Sequence, residues 1–92
     1  MRLDLFLKQS RLVVRRTFAQ EMCNAGAVTV NGVAGKPGRS VSVGDTLTIR
    51  QRGRMTSVRI LIAPVRPPSK AQAAELYEVL GIEDDPDADP TV

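Results

Sequence analysis

The side chains best equipped for chemistry in this sequence are arginines, and they come in sets. Arg2, Arg11, Arg15 and Arg16 open the chain, Lys36 and Arg39 follow in a glycine-containing stretch, and Arg50, Arg52 and Arg54 alternate further on. A guanidinium presents its donors in a planar fork that matches phosphate bidentately, so clusters of it point to binding a polyanion. Catalytic groups are scarce by comparison. The absence of His removes imidazole bases and His-containing metal sites, and a single Cys excludes an intramolecular disulfide or a Cys-only zinc site. No Walker-type or Gly-x-Gly-x-x-Gly nucleotide loop occurs. The reading is a binding protein, not an enzyme, with no metal and no cofactor.

The charge distribution supports this. The 92 residues carry a formal net charge of +3, but residues 1–70 hold all 13 basic residues with only Asp4, Glu21 and Asp45 as acids, a balance of +10. Residues 71–92 hold seven acids and no base, a balance of −7. A basic body with an acidic end suggests a nucleic-acid partner first, with a merely solvated surface as the alternative. Phe6, Phe18 and Tyr77 are the only aromatics. Phe6 and Phe18 read as core, as does Cys23, which leaves no platform for stacking bases. Recognition is therefore expected to use the backbone and shape of a structured RNA. No stretch approaches the ~20 apolar residues of a membrane span, and the N-terminus does not read as a signal peptide, so a soluble cytoplasmic chain is expected.

These side chains must be positioned by short elements. Leu3, Phe6 and Leu7 at i, i+3, i+4 predict a first helix. Capping-box spacing in Thr17-Phe18-Ala19-Gln20 predicts a second helix from near Thr17, stopped by Gly26. Alternating Val28 and Val30 then run into Asn31-Gly32, a strong hairpin signal. Leu47 and Ile49 predict a further strand, and a turn around Arg52-Gly53-Arg54 leads to one with Val58, Ile60 and Ile62 on one face. Pro64, Pro67 and Pro68 end the sheet. Ser69-Lys70-Ala71-Gln72 is a second capping box, predicting a helix to about Leu80 with Gly81 as its stop. The stretch 83–92 is acidic, Pro-containing and predicted to be disordered.

Three candidate sites follow. Arg11 and Arg15 are four apart and would share a face if helical, and Arg16 stands at the entrance of the second helix, where free backbone N–H groups favour phosphate. Asp4 is placed to orient one of these arginines. Lys36 and Arg39, among small residues and Ser40, form a second patch. Arg50, Arg52 and Arg54 would line one side of a hairpin tip, either against RNA or as exposed charges that discourage strand pairing.

Residues 1–50 resemble the S4-type RNA-binding domain. The matching marks are Arg2-Leu3-Asp4, Arg15-Arg16 followed by Ala19, Gly26-x-Val28-x-Val30-Asn31-Gly32, Ser40 and Val43-Gly44-Asp45, in one ordered register. The start Met1-Arg2-Leu3-Asp4, Ser10-Arg11-Leu12, Arg15-Arg16-Thr17 and the C-terminal helix are similar to stand-alone S4 proteins of bacterial ribosome-associated quality control. The resemblance implies an α+β fold of two short helices on a small twisted antiparallel sheet, plus a C-terminal helix. It divides the chain into an RNA-binding domain at 1–62, a Pro-rich connection with that helix at 63–82 and the acidic tail at 83–92. It implies binding to 23S rRNA of the large ribosomal subunit and to stalled peptidyl-tRNA, with an RqcH/NEMF-type protein bringing alanyl-tRNA for C-terminal alanine tailing. Arg2, Arg11, Arg15 and Arg16 would be the RNA contacts, with Lys36 and Arg39 secondary, and the chain a monomer off the ribosome. Leu5 and Val14 stand where the family usually has Lys. The alternatives are a heat-shock-like S4 protein that recycles blocked large subunits and a protein–protein adaptor working through its acidic tail.

Overall fold

The amphipathic pattern at the start folds as expected. The computed structural model describes residues 1–86. In it α1 spans Leu3–Gln9 and α2 spans Arg16–Asn24, and their apolar residues Leu3, Phe6, Leu7, Ala19, Met22 and Cys23 are buried together. Gly26 ends α2 with φ of +76°, a left-handed conformation that glycine adopts without the clash a Cβ would bring. Phe18 departs from expectation: it lies outside the apolar face of α2 and is 44% exposed.

The sheet follows from turn chemistry. Strands β1 (Val28–Val30) and β2 (Val33–Ala34) are joined by Asn31-Gly32, both at positive φ. Strands β3 (Thr46–Gln51) and β4 (Arg54–Ile60) are joined in the same way by Arg52-Gly53. Two-residue turns with positive φ at both central positions match the right-handed twist of the strands they connect. The register sets Leu47 opposite Val58 and Ile49 opposite Thr56, so the buried faces of both strands meet the helices. Strand β4 stops at Ile60, and Ile62, expected on the same inner face, is 48% exposed.

The C-terminal region corrects the sequence reading. The Ser69–Gln72 capping box forms, with Gln72 N–H donating to Ser69 Oγ and Ser69 N–H to Gln72 Oε1, and it opens α3 at Lys70–Ala73. Instead of running to Leu80, the helix tightens into a 3₁₀ turn at Ala74–Leu76, and Tyr77–Asp84 become β5. Strand β5 pairs antiparallel with β4, giving the sheet order β2-β1-β3-β4-β5. Glu83 and Asp84, expected in the disordered tail, therefore lie in the sheet. The rest of that expectation falls partly on residues 87–92, which lie outside the described residues.

One close approach fixes the loop after β2. Gly35 is buried, and a Cβ there would lie 2.7 Å from Leu3 Cδ2 and 3.1 Å from Val30 Cγ2. Gly35→Ala is thus expected to destabilise the fold by about 1–3 kcal/mol through overpacking. Urea unfolding measures it, and an unmoved midpoint would mean that Leu3 yields freely.

Candidate nucleic-acid interface

The cationic face is built around one buried anion. Asp4 sits in the first turn of α1 with no solvent exposure. Its Oδ1 accepts from Arg2 Nε at 3.1 Å and from the Leu5 N–H at 2.8 Å. Its Oδ2 accepts from Gln20 Nε2 at 2.9 Å, Arg16 Nε at 3.3 Å and Arg2 Nη2 at 3.4 Å. Burial alone would raise the carboxyl's pKa. The hydrogen bonds from Arg2, Gln20 and Arg16, with the Arg16 charge, outweigh it and hold the group at about 2. Asp4 thus orients two arginines where the sequence pointed to one. Both remain about half exposed, Arg2 at 53% and Arg16 at 44%, so each guanidinium is anchored on its inner side and open to solvent outside.

Gln20 explains why the first capping box fails. Its side chain is committed to Asp4, and α2 begins at Arg16 with Arg15 as N-cap and no capping side chain. The first turn of α2 contains no acid. Its free N–H groups and the positive end of the helix dipole are therefore accompanied by cations, an arrangement an incoming phosphate would relieve.

The Lys36–Arg39 loop is brought to the same place through its backbone. Leu3 N–H donates to Arg39 O at 2.8 Å and Asp4 N–H to Pro37 O at 3.1 Å, so the loop caps the open end of α1. Arg2 forms an isolated bridge with Ser40, and its guanidinium lies against Gly38, 3.6 Å from where a Cβ would stand. Asp45 supports the far side. It accepts from Ser42 N–H at 2.9 Å and Asn31 Nδ2 at 3.2 Å, while Thr46 N–H donates to Asn31 Oδ1. The Ser42 backbone bond is the main cause of a lowered Asp45 pKa, followed by the Asn31 bond.

Of the predicted residues, Arg2, Arg16 and the loop bearing Lys36 and Arg39 are brought together, with exposed Arg15 next to Arg16. Arg11 is not part of that group. Residues 10–14 are a series of turns, so Arg11 and Arg15 do not share a helical face, and Arg11 itself has φ of +62°. Instead Arg11 lines a shallow groove of about 500 Å³ with Arg52 and Arg54 at the β3–β4 hairpin tip. Arg50 is separated from that pair. It alternates with the buried Ile49 and so falls on the opposite sheet face. The contribution of Gln20 was missed by sequence reading, which gave it to the helix cap. The only available signal was its position, one turn on from Arg16 on the face of α2 that meets α1.

Among the described residues no group of three or more His, Cys, Asp or Glu is placed to hold a metal, and no helix is long and apolar enough to cross a membrane. Cys23 is buried, and burial raises its thiol pKa.

The buried acid, the two arginines it fixes and the two helices that carry them all lie within the first 47 residues. A family model described as S4 domain matches residues 1–47, and the chain belongs to the S4 RNA-binding domain family. Within that class it is similar to two proteins named RQC P-site tRNA stabilizing factor. That of Halalkalibacterium halodurans is 48% identical over 81 residues, covering 86% of this chain and 89% of that protein. That of Listeria innocua is 44% identical over 80 residues, covering 87% and 86%. The trimeric structure of Vibrio cholerae heat shock protein 15 superimposes with a TM-score of 0.80 at 30% identity, over 86% of this chain and 80% of that one.

Proposed function

We propose that this chain is a non-catalytic, cytoplasmic RNA-binding factor of ribosome-associated quality control that steadies peptidyl-tRNA on a stalled large ribosomal subunit. It would contact 23S rRNA and the tRNA together and support C-terminal alanine tailing by an RqcH/NEMF-type partner. The observation that carries the reading is the arginine pair held by Asp4, in a chain 48% identical to a protein named for stabilising P-site tRNA. Arg2, Arg15 and Arg16 are the proposed primary phosphate contacts, with Lys36 and Arg39 flanking them and Arg11 extending the surface. Binding then rests on guanidinium–phosphate pairing and counterion release and weakens steeply with salt. No cofactor takes part, and the chain acts as a monomer away from the ribosome.

The likeness to heat shock protein 15 favours a second reading, recycling of blocked subunits without tailing. Affinity-tagged chain isolated from cells is expected to retrieve large subunits bearing peptidyl-tRNA, and to raise alanine addition in a purified tailing reaction. Retrieval without such an increase supports recycling, and failure to retrieve large subunits removes both readings.

A further inference from the structure

Arg52 and Arg11 share an unusual property. Both have left-handed φ, +55° and +62°, a region that costs free energy for any residue with a Cβ. The chain contains its own control for Arg52. Its other two-residue hairpin has Asn at the equivalent position, Asn31 at φ of +51°, which is the favoured choice for this turn. Arginine thus occupies a position where asparagine would be less strained. Both strained arginines line the same groove, together with Leu12, Val14, Gln51, Arg54 and Thr56. A smaller hollow lined by Lys8, Pro67 and Pro68 adjoins it and shares Arg11 and Val14.

None of Arg11, Arg52 and Arg54 makes an ion pair among the described residues, unlike Arg2, Arg16 and Arg59. Asp84 stands opposite Arg54 in the sheet register but forms no salt bridge with it. Asp4 lies in the first turn of α1, whereas Arg11 stands in the turn beyond its last residue, Gln9, so the groove opens at the other end of that helix from the Asp4 cluster. Three cations beside the apolar Leu12 and Val14 fit a nucleic-acid backbone, phosphates against guanidiniums and riboses against the aliphatic side chains.

We infer that the groove between the α1–α2 turn and the β3–β4 hairpin is a second RNA-backbone site, separate from the Asp4 cluster, in which Arg52 is kept at the expense of turn strain. The inference requires only that the chain binds RNA, whichever ribosomal RNA that is. Arg52→Asn in the full chain tests it, with Arg54→Gln as a variant that leaves the turn untouched. The probe is protein-free rRNA from large subunits, titrated at several salt concentrations, with a poly-glutamate peptide in parallel.

Arg52→Asn is expected to raise Tm while weakening rRNA binding by about tenfold, with a slope of log K against log salt lower by about one. Arg54→Gln is expected to weaken rRNA binding similarly. Unchanged rRNA affinity in both variants overturns the inference and leaves the proposed function standing. A lowered Tm for Arg52→Asn overturns the claim that arginine is retained against strain. Loss of poly-glutamate binding with rRNA binding intact assigns the groove to an acidic protein segment instead. Failure of the unaltered chain to bind rRNA overturns this inference and the proposed function together.

Discussion

Arg2→Ala with Arg16→Ala is expected to reduce affinity for large subunits bearing peptidyl-tRNA on the order of a hundredfold or more, since a hydrogen bond to a charged group contributes about 1.5–3 kcal/mol. The two substitutions are not expected to add, because both arginines are anchored on the same carboxylate. The slope of log K against log salt should fall by about two, one for each phosphate contact removed. The same change strips Asp4 of both cations and leaves it the Gln20 and Leu5 N–H bonds, so stability falls as well. The matching pair of lysine substitutions separates the effects. It keeps the net charge but replaces the fork anchored through Nε by a flexible ammonium, and it should recover most of the salt slope but little of the affinity. Co-sedimentation checks the result, with thermal unfolding as the folding control. Wild-type affinity in a folded double-alanine variant would remove this surface from the interface.

Asp4→Asn tests the orienting role, and charge counting and geometry disagree about its sign. Removing an anion from the proposed phosphate-binding face should strengthen binding if charge alone matters. If the carboxylate holds two guanidiniums in place before RNA arrives, losing it raises the ordering cost of binding. About tenfold weaker binding is therefore expected, a fraction of the effect of removing the arginines. The asparagine amide would also present N–H to a site where donors from Arg2, Leu5, Arg16 and Gln20 converge. Stability should drop by about 3 kcal/mol, or roughly 12–24 °C in Tm for a domain of this size.

The pH dependence follows from the same group. With the folded pKa at about 2 and the ordinary value at 3.8, Asp4 contributes stability that is complete above about pH 4 and lost as pH falls toward 2. That contribution is about 2 kcal/mol. Acid unfolding of Asp4→Asn should lack this component, and identical acid profiles would count against the buried ion pairs. Asp45, also lowered, adds to the same acid window in both proteins.

Features dictated by neighbours in the chain were legible in the residues themselves. Asn31-Gly32 forms the turn its residue types favour, a second two-residue turn falls at Arg52-Gly53, and Leu3, Phe6 and Leu7 bury the face their spacing defines. What could not be read depended on distant partners. Thr17 and Gln20 have the spacing of a capping box, but Asp4 offers the Gln20 amide a charged acceptor and wins it. Residues 73–80 carry an apolar stripe at helical spacing, yet the open edge of β4 captures Tyr77–Asp84 as a strand. A register shift between Ser57 and Val58, which pair with Gly81 and Val79, leaves Leu80 as an extra residue. That irregularity broke the alternation that would have marked β5 in the sequence. The arginine set 11, 15 and 16 is divided in space, because the turns after α1 send Arg11 to the hairpin tip.

The Asp4 cluster draws residues 2–5, 16, 20 and 37–39 to one point, and its assembly is therefore a matter of timing as well as geometry. No local segment contains the site. Closing it requires contacts across tens of residues, and such long-range pairings are the slow part of folding a mixed α/β domain. A growing polypeptide that has not yet released its loop around Gly38 has the arginines but not their arrangement. The arrangement of the arginines is thus a property of a chain folded at least as far as that loop, and no shorter segment carries it.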